Sequence, residues 1–249
     1  MTLGLEFASN VWAQDCQPYL EPSCKDAIDV TIRESVISYA IPDSSPLQVI
    51  LTRAFDVVAA ALVLLAALPA LVVLAIALQI DSPGRLFFVQ QRIGRGGKMF
   101  PCLKFRTMCA DADKVLARHL DECAEARGEW ARDFKLRSDP RITRLGTVAR
   151  KFSLDEFPQL LNIIAGHMSV VGPRPIVRDE IERYGRFFPN YCAVRPGLTG
   201  LWQISGRNGT SYAERVALDC RYVATKSFVG DVVIALKTVP AVLNAKGSY

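Results

Sequence analysis

The residues of this 249-residue chain best suited to chemistry are Asp155 and Glu156, in Ser153-Leu154-Asp155-Glu156-Phe157-Pro158. Ser153 and Glu156 have the spacing of a helix capping box, a purely structural use of both. Pro158 argues against that frame, because a residue without an N–H fits best in the first turn of a helix. Asp155 and Glu156 then sit just ahead of that turn or in it, where the helix dipole and free N–H groups favour ionised carboxylates. Such a carboxylate can act as a nucleophile or hold magnesium. Acidic residues at helix starts are routine, so the pair gains meaning only from its neighbours.

Those neighbours are potential phosphate binders. Lys104 and Arg106 precede the pair, Arg150 lies close by, and Arg174 and Arg195 follow in Gly172-Pro173-Arg174-Pro175 and Arg195-Pro196-Gly197. Gly and Pro beside an Arg fix the backbone from which a guanidinium fork reaches a phosphate. Other chemistries are less well served. Gly94-Arg95-Gly96-Gly97 lacks the P-loop spacing and reads as a turn. The seven cysteines are odd in number and without a Cys-x-x-Cys pair, against a disulfide framework or a zinc site. His119 and His167 are far apart, so magnesium on oxygen ligands is the metal chemistry left open.

Charge and hydropathy are unevenly placed. Residues 1–81 carry 3 Lys/Arg and 9 Asp/Glu, residues 82–249 carry 27 and 16, so a net −6 is followed by +11. A basic half suits an anionic membrane surface, a phosphate-bearing substrate or nucleic acid. Between the halves, Val57 to Leu78 is an apolar block broken only by Pro69. As helix it would be roughly 33 Å long, against about 30 Å of bilayer hydrocarbon. It begins too far from Met1, behind too acidic a stretch, for a signal peptide. Pro69 should kink or break the helix into two arms of half a bilayer each. A simple span and a re-entrant hairpin both satisfy these lengths, and the charge flanks do not choose between them.

The elements that must position the carboxylates follow from periodicity. Residues 1–48 read as a loosely ordered arm with a short helix around Asp26 to Tyr39, residues 49–81 as the membrane segment, and 82–249 as the catalytic domain. Two short strands, Leu86–Gln90 and Met99–Phe105, flank the glycine turn as a hairpin. Helical patterns cover Cys109–Lys135, Phe157–Ile164, Arg178–Phe188, Tyr212–Thr225 and Asp231–Asn244, the last broken at Pro240. The basic and aromatic run Arg178–Tyr191 and the apolar Asp231–Leu243 suit either the headgroup layer of a bilayer or the domain core. The expected fold is mainly α with a small β-hairpin.

From Arg53 to about Thr238 the chain resembles the bacterial sugar transferases, the monotopic phosphoglycosyl transferases, in their short exopolysaccharide-initiating form. The likeness rests on Arg53-Ala54-Phe55-Asp56, Asp81-Ser82-Pro83-Gly84, Gln90-Gln91-Arg92-Ile93-Gly94, Lys104-Phe105-Arg106-Thr107-Met108, Ser138–Thr143, Ser153–Leu160, Met168–Pro175 and Arg195–Arg207. It implies a re-entrant membrane helix bent at Pro69 and a compact cytoplasmic catalytic domain with interfacial amphipathic helices at the bacterial inner membrane. Leu68 stands where family members often have Ser, His167 where an acidic residue is common, and Arg85 where Pro is frequent. It further implies that Asp155 attacks a UDP-sugar to give a covalent sugar phosphate and UMP, with polyprenyl (undecaprenyl) phosphate as acceptor and Glu156 as the Mg2+ ligand. Lys104, Arg106, Arg150, Arg174 and Arg195 would bind phosphate, with Asp219 a weaker candidate. No nucleic acid partner is implied, a homodimer is left open, and the sugar is unassigned. The competing reading is a single-span, membrane-anchored basic binding or scaffold protein of a polysaccharide export complex, without catalysis.

Overall fold

The computed structural model describes residues 45–133, 136, 138–205 and 211–243. The expectations for the arm before Ser45, including its short helix, for Lys135, for Arg207 and for Asn244 lie outside the described residues.

The first helix, α1, runs from Pro46 to Asp81. Ser45 caps it by accepting from the Gln48 N–H at 3.3 Å, and Pro46 occupies the first turn, where a missing N–H costs nothing. At 36 residues it is about 54 Å long if straight. Its most apolar stretch is only 11 % buried, with Leu65 and Val73 about 70 % exposed, so it is no core helix of a soluble domain. It is long and apolar enough to cross a membrane. Pro69 does not split it: helix continues through that residue to Asp81. One proline removes one hydrogen bond, which a long apolar helix survives.

One face of α1 is nevertheless docked on the rest of the protein. The Arg53 guanidinium donates to the carbonyls of Ile163 (2.7 Å) and Ile164 (2.9 Å), near the end of helix α5 (Gln159–Ala165), where a cation is favoured. Asp56, 1 % exposed, accepts from the Ser169 hydroxyl and the Val170 N–H, both at 2.8 Å. Ala60 and Leu64 pack with Phe100, Leu160, Ile163 and Met168. Further along, Leu71 and Leu78 pack on Phe105, and Gln79 bonds both backbone groups of Gly84.

Strands β1 (Phe87–Ile93) and β2 (Met99–Phe105) form an antiparallel hairpin. β1 starts and ends later than its sequence pattern suggested, because Gln91, Arg92 and Ile93 pair with Pro101, Phe100 and Met99. Their hydrogen bonds outweigh the polar character of Gln91-Arg92. The turn at Arg95–Gly97 places Gly96 and Gly97 at φ 68° and 72°, conformations that favour glycine.

The helical pattern over Cys109–Lys135 resolves into α2 (Ala112–Glu122) and α3 (Ala124–Asp133), with Cys123 in extended conformation between them. Helix α4 (Arg144–Lys151) is capped by Thr143. The run from Arg178 is broken by Gly185 at φ 47° into α6 (Ile181–Tyr184) and α7 (Phe188–Cys192). Its aromatics face inward: Tyr184, Phe188 and Tyr191 are at most 4 % exposed and form a core with Ile93, Ile176 and Val216. For these side chains the core-packed reading holds and the headgroup reading does not.

A parallel pair absent from the sequence reading joins β3 (Ser169–Val171) to β4 (Gly197–Thr199). A Cβ at Gly197 would stand 2.0 Å from the Gly172 nitrogen, and one at Gly172 would stand 2.5 Å from the Arg195 carbonyl. Only glycine permits this approach. Helices α8 (Leu201–Ser205), α9 (Tyr212–Ala224) and α10 (Phe228–Leu243) complete the fold. Pro240 lies inside α10 without ending it. The five described cysteines, Cys102, Cys109, Cys123, Cys192 and Cys220, form no disulfide among the described residues.

The hairpin is fastened to α5 by Asn162, whose amide oxygen accepts from the Leu103 N–H (3.0 Å) and whose amide N–H donates to the Pro101 carbonyl (2.7 Å). Asn162→Ala leaves two part-buried backbone groups without their partner. It should cost about 2–3 kcal/mol and lower the thermal midpoint by about 4–12 °C, read by unfolding in detergent micelles.

Candidate active site

The segment ahead of α5 is built tightly. Ser153 adopts φ 55°, ψ 25°, the left-handed region, and is the one non-glycine residue with positive φ among those described. Its side chain makes no cap bond, so the capping box suggested by Ser153 and Glu156 is not formed: a residue in that conformation cannot present its hydroxyl as a cap does. Leu154–Glu156 then form a single 3-10 turn leading through Pro158 into α5. Non-glycine residues are held in this region when surrounding structure over-determines them, often at functional sites.

The turn sends its two carboxylates into different environments. Glu156 meets Lys104 of β2, with Nζ 2.6 Å from Oε1 and both side chains about a quarter exposed or less. Burial opposes its charge, but Lys104, Arg174 and Arg92 outweigh that and hold its carboxyl down at about 2. Asp155 is 8 % exposed. Burial, with a smaller push from Glu156, raises its carboxyl above the usual aspartate value despite Lys104 and Arg150.

A small cleft opens beside Glu156, lined also by Lys104, Arg92, Arg174, Gln159 and Gln203. Arg174 lies over the Trp202 ring at 5.8 Å. The structure thus brings Glu156, Lys104 and Arg174 together, with Arg150 near Asp155. Asp155 itself does not line the cleft. Three other candidates lie elsewhere. Arg106 donates to the Ser82 carbonyl and holds the turn after α1. Arg195 donates to the Gly166 carbonyl at 2.9 Å. Asp219, 2 % exposed, accepts from the Tyr184 hydroxyl at 2.7 Å, and burial pushes its carboxyl up to about 7 against that bond and Arg215.

Sequence reasoning missed Arg92 and Gln159 as cleft residues. Arg92 donates to the Pro175 carbonyl (2.8 Å) and Gln90 Oε1 (2.6 Å), and stands 3.6 Å from Glu180, so it braces the residue next to Arg174. Its signal was available, since Arg92 lies in the block Gln90–Gly94. Gln159 lies likewise in the block Ser153–Leu160, four residues after Asp155.

No three His, Cys, Asp or Glu side chains converge on a metal-sized site among the described residues. Magnesium does not require that, being commonly held by one or two carboxylates with phosphate oxygens and water. Glu156, charged and open to the cleft, fits that demand.

The site thus joins a charged cleft to a helical domain on which a long apolar helix is docked. Residues 47–245 match the bacterial sugar transferase family. The chain belongs to this family and is an enzyme. It is 47 % identical over 221 residues to the exopolysaccharide production protein ExoY of Sinorhizobium fredii, covering 87 % of this chain and 98 % of that one. It is 46 % identical over 199 residues to the undecaprenyl-phosphate galactose phosphotransferase of Salmonella typhimurium, covering 80 % of this chain and 42 % of the relative. Identity is 41 % over 205 residues with the UDP-glucose:undecaprenyl-phosphate glucose-1-phosphate transferase of Caulobacter vibrioides, covering 79 % and 71 %.

The depressed carboxyl of Glu156 has a sign that can be tested. Its folded value lies below its unfolded one of 4.5, so the pairing stabilises the protein above pH 4.5, and that gain is lost as pH falls towards about 2. Lys104→Met should therefore destabilise most near neutrality, and its deficit against wild type should shrink on acidification from pH 5 to pH 2, followed by chemical unfolding across that series.

Proposed function

We propose that the enzyme transfers a sugar 1-phosphate from a UDP-sugar to undecaprenyl phosphate and releases UMP, as the first membrane step of exopolysaccharide or glycan assembly. The observation that carries this reading is the cleft in which Glu156, Lys104, Arg92 and Arg174 meet, a charge arrangement suited to a diphosphate. The named activities of the Salmonella and Caulobacter relatives support the substrate pair.

The reaction runs in two displacements. An Asp155 carboxylate oxygen attacks the β-phosphorus of the donor, and the bond to the oxygen bridging the two phosphates breaks. UMP leaves with that electron pair. A phosphate oxygen of the lipid then attacks the aspartyl sugar phosphate and restores the Asp155 carboxylate. Splitting one transfer into two is what a buried carboxylate nucleophile offers. Magnesium bound at Glu156 and the donor diphosphate would neutralise phosphoryl charge. Lys104 and Arg174 steady the phosphoryl oxygens, and Lys104 with Arg150 opposes the burial that raises the Asp155 carboxyl.

Docking supports the re-entrant placement of α1 at the cytoplasmic face of the inner membrane. Contacts of Arg53 with the end of α5, and of Leu71 and Leu78 with Phe105, tie both halves of the helix to the same domain, which a helix crossing away from that domain would not make. The elements touching α1 expose apolar side chains, Val229, Val233, Leu236 and Val239 on α10 and Leu145 and Val148 on α4, with Phe152 just after it. Such a stripe suits shallow insertion among lipid headgroups.

Three results are expected. Purified enzyme in detergent with magnesium, undecaprenyl phosphate and a panel of UDP-sugars should release UMP with at least one of them; no release from any would favour the non-catalytic binding role. Asp155→Asn should abolish turnover while membrane association persists, and wild type given donor without lipid should carry a sugar phosphate on the Asp155 peptide by mass spectrometry. An adduct on another residue would remove Asp155 from the nucleophile's role. The acidic limb of the pH–rate profile should lie at higher pH than an ordinary aspartate would give, as the raised carboxyl of Asp155 takes up its proton while Glu156 stays charged.

A further inference from the structure

The polar side chains lining the cleft are mostly committed. Lys104 is bound to Glu156, Arg92 to Pro175 and Gln90, and the Gln203 amide N–H to the Leu198 carbonyl at 3.4 Å. Arg174 faces the cleft as a cation suited to phosphate. The Gln203 Oε1 is buried without a partner, and Gln159 goes further, with neither end of its amide engaged. It is only 3 % exposed, it lines the cleft, and its side-chain amide makes no hydrogen bond to the described residues.

The Gln159 side chain is largely buried but its amide is still open to the cleft, so it can exchange water for a ligand's polar groups. Among the charged residues of the cleft it adds what a cluster of cations cannot: an uncharged group that donates and accepts side by side. Free phosphate offers only acceptors to it. A sugar phosphate offers a phosphoryl oxygen to receive the N–H and, next to it, a ring hydroxyl to donate to the carbonyl oxygen. Position agrees with that partner, because Gln159 sits one helical turn beyond Asp155, where the transferred group would reside.

We propose that Gln159 is a substrate-binding residue whose amide holds the transferred sugar phosphate, through one phosphoryl oxygen and one sugar hydroxyl. The inference rests on the UDP-sugar reading above. Wild-type turnover decides that reading, and comparison of variants decides this one.

The test uses the full chain in detergent with magnesium and whichever UDP-sugar wild type turns over. Gln159→Leu keeps the approximate volume and breaks no hydrogen bond within the protein, so its thermal midpoint should equal or exceed that of wild type. Its kcat/KM should fall about tenfold to a hundredfold, as expected for losing one or two hydrogen bonds in a desolvated site. Inhibition by UMP, which lacks the sugar phosphate, should change less than twofold. Gln159→Glu, equal in size but without the amide donor, should lose at least as much. Unchanged kcat/KM in Gln159→Leu would overturn the proposal. So would a parallel weakening of UMP inhibition, which places Gln159 at the nucleotide, or a lowered thermal midpoint accounting for the lost activity, which makes it a packing residue.

Discussion

Hairpin β1–β2 carries Lys104, the turn before α5 carries Glu156, and about fifty residues separate them in the chain. Their 2.6 Å approach depends on the strand and the helix lying edge to edge, and a strand edge offers no side-chain specificity of its own. Asn162 supplies it, with one amide accepting from and donating to the β2 backbone at Leu103 and Pro101. Two hydrogen bonds from a planar group in the interior fix both distance and direction, which apolar contacts alone would leave free to slide. The charged cleft is therefore held from behind by an uncharged side chain that never reaches it.

A second constraint ties this assembly to the apolar helix. Charge within such a segment is expensive unless it is paired. Here Arg53 and Asp56 lie at its start and are spent on docking, on the end of α5 and on β3. The same two elements, α5 and β3, lead into the site from opposite sides: α5 begins just after Glu156, and β3 ends three residues before Arg174. Anchoring the helix and shaping the site are thus one set of contacts.

Arg174 shows how backbone closeness substitutes for side-chain bulk. Gly172 and Gly197 let β3 and β4 approach so nearly that a Cβ on either would clash with backbone atoms. Arg92 and Tyr191 then pin the segment that follows: Arg92 binds the Pro175 carbonyl, while the Tyr191 hydroxyl accepts from the Ile176 N–H and donates to the Ile93 carbonyl. With proline on both sides and its neighbours fastened, Arg174 has little backbone freedom left to lose on meeting a substrate.

The sequence by itself determined the local features. These are the apolar helix, because a run of twenty or so apolar residues has no stable place in water; the hairpin, because glycines mark its turn; and the Asp155-Glu156 pair, because Pro158 fixes where the next helix can begin. Tertiary structure decided what depends on distance between remote segments. It chose which cations line the cleft, keeping Lys104 and Arg174, adding Arg92, and sending Arg106 and Arg195 to backbone carbonyls. It turned the aromatics of Arg178–Tyr191 inward, and it joined β3 to β4 across a gap no periodicity records. A guanidinium satisfies a phosphate and a carbonyl equally well, so its residue type cannot reveal its partner; only the folded chain, by what it brings within about 3 Å, makes that choice.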